Sequence, residues 1–280
     1  MKLARSLFVK EAVLFGVVHG LGLLAAFRFL TDSRLSYLVP EVSTNWHLNL
    51  LDIFVLVAFV FVFIFLSRKK GLISKVFFRI FLWAVVFSGA QVFFSIFMSP
   101  FKALISSLVL ILFMALIPRV VILDIGVIFG LAGIGSTFGL SLAPIVVVWI
   151  LAILSFYDII AVYLTKHMVK MAGGMIASGA IFGFIIPANF SGFKEKISSV
   201  GPGENFMILG SGDLLLPLIL TVSVARISFL QAIIVGIFSL FGLLATHLIF
   251  VNQKERRPMA ALPPIAALSI IGYLLSSFLF

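Results

Sequence analysis

Apolar runs of about 17 to 25 residues, joined by short polar connections, follow one another along almost the whole of this chain, and a run of that length crosses the hydrocarbon core of a bilayer as an α-helix. Such a chain has few ways to fold. Of its 280 residues, 62% are apolar and 11% charged, where soluble domains carry about 25% charged residues. No polar stretch exceeds about 20 residues, too few to bury a core of their own outside the membrane. The sequence therefore predicts an all-α polytopic membrane protein in which residues 1–280 form a single integral membrane domain.

Nine spans are expected, near 12–30, 51–67, 77–98, 102–117, 120–139, 142–165, 207–226, 229–250 and 259–280. Only Pro118 and Arg119 separate the fourth from the fifth; their joint length and the internal proline argue for two helices. With a cytoplasmic N-terminus, sixteen of the twenty Lys and Arg residues fall inside, among them Lys2, Lys10, Lys69, Lys196 and Arg256, and only Arg28, Arg34, Lys102 and Arg226 fall outside. That asymmetry obeys the positive-inside rule and puts the C-terminus outside. The first apolar run follows Lys2, Arg5 and Lys10 as a secretory signal would, but it continues past His19 to Phe29 and reads as a retained first helix.

A net charge of +10 would suit nucleic acid in a soluble protein. Here the cations cluster between apolar runs, so the expected partners are the lipid bilayer and membrane-spanning proteins or peptides, with no nucleic acid. The chain has no cysteine, which excludes disulfides, thiol catalysis and Cys-ligated metals. His19, His167 and His247 lack a second ligand at metal spacing, so neither a metal nor another cofactor is expected. The 32 phenylalanines read mostly as lipid-facing bulk. Gly16 and Gly20, Gly126 and Gly130, Gly135 and Gly139, and Gly179 and Gly183 fit the GxxxG spacing of close helix packing.

The segment 166–206 breaks the alternation of spans and joints. An interfacial amphipathic helix near 165–178 is expected, then a short strand from Ile181 to Ile186 ended by Pro187, then a flexible cytoplasmic loop over 188–205 with Gly192, Gly201, Pro202 and Gly203.

Two aspartates lie deep in apolar runs: Asp158 in Ser155-Phe156-Tyr157-Asp158 and Asp213 in Gly210-Ser211-Gly212-Asp213-Leu214. A carboxylate in hydrocarbon is costly unless it is paired, neutralised or wetted, so each marks a candidate functional site. Asp158 stands eight residues before Lys166 and Asp213 nine after Glu204. At about 1.5 Å per helical residue both reach one depth below the same surface. Two adjoining carboxylates share a proton, which lets one activate water while the other polarises a peptide carbonyl. Asp52 and Asp124, each near a span end, are expected to reach the interface and serve no such role.

The backbone around these residues adds detail. Gly210 and Gly212 allow close approach just before Asp213. Pro217 withholds the amide that would bond the Asp213 carbonyl, which loosens the helix there. Pro263 and Pro264, after Ala260-Ala261-Leu262, leave non-helical backbone at membrane depth or begin a helix in the ordinary way.

Tyr157-Asp158, Gly210-Ser211-Gly212-Asp213 and Ala261-Leu262-Pro263, in this order on successive spans, resemble the YD, GxGD and PAL motifs of the presenilin and signal peptide peptidase class of intramembrane aspartyl proteases. The resemblance covers about residues 140–280, with the first five spans, 1–139, matching in number only and forming a scaffold. It implies that Asp158 and Asp213 are catalytic, with Tyr157, Gly210, Gly212 and Leu214 in support. It also implies that Ala261, Leu262 and Pro263 bind substrate; Ala260 stands where the family has proline. Ile181 and Ile186, on the expected strand, are further candidates for pairing with an unwound substrate. The compact layout is similar to archaeal presenilin homologues, which implies a prokaryotic cell membrane as the setting. Two other readings stay open on the residues alone. One is a prepilin-peptidase-like protease with the same GxGD pattern; the other is a proton-coupled transporter or cation channel with the aspartates as relay.

Overall fold

The computed structural model describes residues 4–38, 71–201, 205–253 and 258–279. Helix α1 is Arg5–Thr31, α2 Leu72–Ser95, α3 Pro100–Leu116, α4 Val120–Ser141 and α5 Pro144–Ile159, which runs on into a π-helical turn, Ile160–Leu164. After a left-handed Lys166 comes α6, His167–Ser178, then strands β1, Gly183–Pro187, and β2, Phe206–Gly210. Helices α7, Ser211–Ala225, α8, Phe229–Val251, and α9, Leu262–Leu279, complete the order.

Proline and glycine set several of these boundaries. Pro100 and Pro144 occupy first turns, where a missing amide costs nothing, and Pro118 ends α3. Gly179 closes α6 at φ +67, the left-handed conformation that favours glycine at a helix end.

The expectation of nine membrane spans is corrected. Six helices among the described residues are long and apolar enough to cross a membrane: Arg5–Thr31, Lys75–Ser95, Val120–Ser141, Pro144–Leu164, Phe229–Val251 and Leu262–Leu279. The expected span at 51–67 lies outside the described residues. The run at 102–117 gives only the 17-residue α3, because Pro100 opens it and Pro118 stops it. The run at 207–226 divides, its first residues going to β2 and only 15 to α7. A continuous apolar stretch looks the same whether it is one buried helix or a buried strand followed by a helix, which is why the count failed. The orientation argued from nine alternating spans, N-terminus inside and C-terminus outside, loses its basis with that count. Lys10, counted among the inner cations, is itself buried in the protein at 4% exposure.

At the centre stand α4 and α7. Every residue of α7 from Pro217 to Ala225 is buried, and α4 packs against α1, α2 and α7. Pro217 does not interrupt α7, and its carbonyl accepts from the Thr221 hydroxyl at 2.9 Å. Glycine permits the closest approaches. A Cβ on Gly133 would collide with the Gly89 carbonyl oxygen of α2, and one on Gly139 would press on Val222 of α7. By contrast a Cβ on Gly16 or Gly20 would meet nothing within 4 Å among the described residues. Phenylalanines divide between the two environments: Phe15, Phe29, Phe78, Phe93 and Phe184 are core, while Phe101, Phe156 and Phe278 are exposed.

Two titratable side chains meet in the interior. Glu11 of α1 and His247 of α8, both fully buried, lie 2.9 Å apart with the Phe8 ring against the imidazole. Of the flexible cytoplasmic loop expected over 188–205, residues 188–201 are docked through backbone bonds from Val120 N–H to the Glu195 carbonyl at 3.0 Å and from Ile197 N–H to the Pro118 carbonyl at 2.9 Å.

Gly133→Val should therefore lower stability by about 1 to 3 kcal/mol through overpacking of the α2–α4 contact. Thermal unfolding in detergent checks this.

Candidate active site

The two strands form an antiparallel ribbon with Gly183 opposite Gly210, Phe184 opposite Leu209 and Ile186 opposite Met207. The ribbon is what delivers the second aspartate. β2 ends on Gly210, α7 starts on Ser211, and Asp213 falls in the first helical turn. A carboxylate there meets the positive end of the helix dipole and its unpaired amides. The Gly210 backbone N–H also bonds the Asp213 carboxyl. Thus Asp213 reaches its depth at the end of a strand, not two turns into a helix as the spacing suggested.

Asp158 comes from the last turn of α5 and is 6% exposed, whereas Asp213 is half-buried. The two carboxylates lie within electrostatic reach of one another. The Leu262 backbone N–H donates to Asp158 Oδ2 at 3.3 Å. The chain from 258 to 261 is not helical, and its Ala261 carbonyl accepts from the Thr246 hydroxyl of α8 at 3.2 Å. Both readings of the double proline are met: α9 begins at Leu262 with Pro263 and Pro264 in its first turn, and irregular backbone precedes it. Just beyond Asp158 the helix widens into the π turn, a local irregularity that recurs at functional sites.

The structure thus brings together Asp158, Asp213, Gly210 and Leu262. It treats the other sequence candidates differently. Tyr157 is 53% exposed on α5, facing away from the core, and Leu214 is fully buried beneath Asp213. Gly212 is exposed with open space where a Cβ would stand, while a Cβ on Gly210 would lie 2.9 Å from Asp213 Oδ2. Ala261 and Pro263 are partly buried beside Leu262. Ile181 is buried but precedes the strand, which starts at Gly183; Ile186 is fully buried within it.

Sequence reasoning missed β2 and misjudged Asp124. Asp124 is 2% exposed, far from any interface role, and its Oδ1 accepts the Ile185 N–H of β1 at 3.0 Å. Lys10 of α1 donates to the carbonyls of Pro187 and Ala188 at 2.8 and 2.6 Å, at the end of the same strand. For Asp124 the signal is a charged residue inside an apolar run; Lys10 stands just ahead of one and carries no such mark.

A family profile described as signal-peptide peptidase, presenilin aspartyl protease matches residues 12–280. Two solved structures, each of a presenilin family intramembrane aspartate protease, one in space group C222 and one in P2, superimpose with a TM-score of 0.62. The first is 24% identical, covering 97% of this chain and 98% of that one; the second is 25% identical, covering 96% of each. No curated protein matches.

Gly210→Ala should reduce proteolytic turnover at least about tenfold by displacing the Asp213 carboxyl, since small misplacements of reacting groups cost that much or more. Gly212→Ala should leave the unfolding temperature unchanged, and a parallel melt and cleavage assay separates the two.

Proposed function

We propose, for a chain that belongs to the signal-peptide peptidase and presenilin family of aspartyl proteases, that Asp158 and Asp213 are the pair that cuts the peptide bond. The protein is an intramembrane aspartyl protease, cleaving within membrane helices. The observation that carries the residue assignment is the meeting of two intramembrane carboxylates from separate helices at the end of a strand ribbon. Two like charges so placed resist ionising together and hold one proton between them. The ionised carboxylate takes a proton from water, whose oxygen adds to the scissile carbonyl carbon; the protonated one gives its proton to the carbonyl oxygen. The resulting gem-diol gives a hydroxyl proton to the carboxylate that had acted as acid, the C–N bond breaks, and the leaving nitrogen takes the proton that the other carboxyl had drawn from water, which restores the pair. Leu262 N–H supports this by holding Asp158 in place.

A helical substrate hides its carbonyls in internal bonds, so it must unwind where it is cut, and its freed backbone then needs partners. Strand addition supplies them. The ladder bonds alternate: Ser211 N–H bonds the Phe182 carbonyl and Ala188 N–H the Asn205 carbonyl, so Phe184/Leu209 and Ile186/Met207 exchange bonds within the ribbon. Ile208 then points its amide and carbonyl away from β1, along the edge that runs into Gly210 and Asp213. That edge of β2, together with the backbone at Ala261 and Leu262, is our substrate site; Ile181 and Ile186 serve it from the core beneath. Tyr157, Gly212, Leu214 and Pro263 frame the pair.

The full reading is a single integral membrane domain over 1–280, with helices before residue 140 as scaffold and the rest carrying the chemistry. Its substrates are membrane-spanning proteins and signal-type helices, and its setting is a prokaryotic cell membrane. Asp158→Asn and Asp213→Asn should each reduce cleavage of a labelled transmembrane peptide by roughly a thousandfold or more, as loss of one half of a catalytic pair does, without changing the melt. The parent should show a bell-shaped pH–rate profile belonging to the pair. Either variant retaining a tenth of parental turnover would remove the residue assignment, though not the family.

A further inference from the structure

Two of the outward backbone groups of β1 are held by side chains from other helices. By the same alternation, Gly183, Ile185 and Pro187 face away from β2, so a substrate strand has two edges to choose between. On β1, the Ile185 amide is bonded by Asp124 of α4 at 3.0 Å and the Pro187 carbonyl by Lys10 of α1 at 2.8 Å. Both side chains are buried, 2% and 4% exposed, and each comes from a helix in the half of the chain that lacks the catalytic motifs. Asp124 Oδ2 has no hydrogen-bond partner among the described residues, so the whole hydrogen-bonding use of this carboxyl there is the strand amide. Lys10 is fixed further by the carbonyl of Ala188 at 2.6 Å and the Phe190 ring 4.6 Å from its Nζ.

We propose that Asp124 and Lys10 are positioning residues of the protease: they close the outer edge of β1 and hold the ribbon so that an unwound substrate can add only to β2, the strand that leads into Asp213. This rests on strand addition as the mode of substrate binding. Neither residue touches the reacting atoms. Their effect falls on long substrates that must be unwound and held, and spares short peptides that arrive already extended.

The amide oxygen of Asn can still accept the Ile185 N–H, so Asp124→Asn should keep turnover of a full transmembrane substrate within about threefold of the parent. Asp124→Leu, which removes the acceptor and orphans a buried amide, should lower kcat/KM on that substrate about tenfold or more. The same variant should cleave a short extended peptide as the parent does, and its cut sites on the long substrate should spread to neighbouring bonds. Should Asp124→Leu fail to fold, Lys10→Met carries the test with the same selective loss expected. Equal losses on long and short substrates, or none, overturn the proposal, and so does an Asp124→Asn enzyme as impaired as Asp124→Leu. Ile208→Pro separates the proposal from its premise, because it deletes an outward amide of β2 without breaking the ribbon. Normal cleavage of the long substrate by Ile208→Pro removes strand addition to β2 itself. Loss in Ile208→Pro beside normal cleavage in Asp124→Leu removes only the positioning role.

Discussion

An unpaired backbone amide or carbonyl within hydrocarbon costs several kcal/mol, and this fold depends on how that cost is avoided wherever the chain stops being helical. Beside the two aspartates, among the described residues, it stops at the ribbon of β1 and β2 and at the segment before α9. Inside the ribbon the strands satisfy one another. Elsewhere the partners are side chains sent in from helices: Asp124 and Lys10 to β1, Thr246 to Ala261, and Asp158 to Leu262. The last of these is one of the two aspartates at the centre of the site. The atoms that make the irregular backbone tolerable are thus partly atoms of the proposed catalytic pair.

This sharing crosses the division of the chain into a motif-poor first half and a motif-bearing second half. Lys10 and Glu11 are neighbours on α1. The first holds the end of β1; the second is buried against His247, whose neighbour Thr246 holds Ala261. One turn of the first helix is therefore tied to both irregular segments. Asp124 makes the same kind of link from α4. A helix with no recognisable motif can be as close to the site, in bonds, as one that carries a motif.

The two aspartates were more legible than the architecture, for a physical reason. An aspartate in an apolar run is conspicuous whatever the backbone does around it, so Asp158 and Asp213 could be singled out from residue type, and the segment at Ala261-Leu262, which the structure places beside Asp158, from its resemblance to a motif. Helix limits fixed by proline, as at Pro100, Pro118 and Pro144, were also readable. Phe206 to Gly210 was not, because five apolar residues before a helix carry the same hydropathy whether they extend the helix or form a strand. The expected strand near Ile181 was found two residues late, its start set by Gly183, where a Cβ would meet the Leu209 carbonyl of the partner. Asp124 was dismissed for lying near a span end. Its role depends on a contact 61 residues away, which no local pattern encodes.

The two aspartates are mounted on very different supports. Asp213 sits on α7, whose nine residues from Pro217 onward are all walled in by other helices. Asp158 sits on α5, whose Trp149, Ile153, Phe156 and Tyr157 are all more than half exposed and which gives way to a π turn within two residues. One carboxyl is thus an anvil and the other is hung on the rim. Whatever adjoins the exposed side of α5 therefore bears on the gap between the two carboxyls through that helix, while α7 offers no comparable face from Pro217 to Ala225.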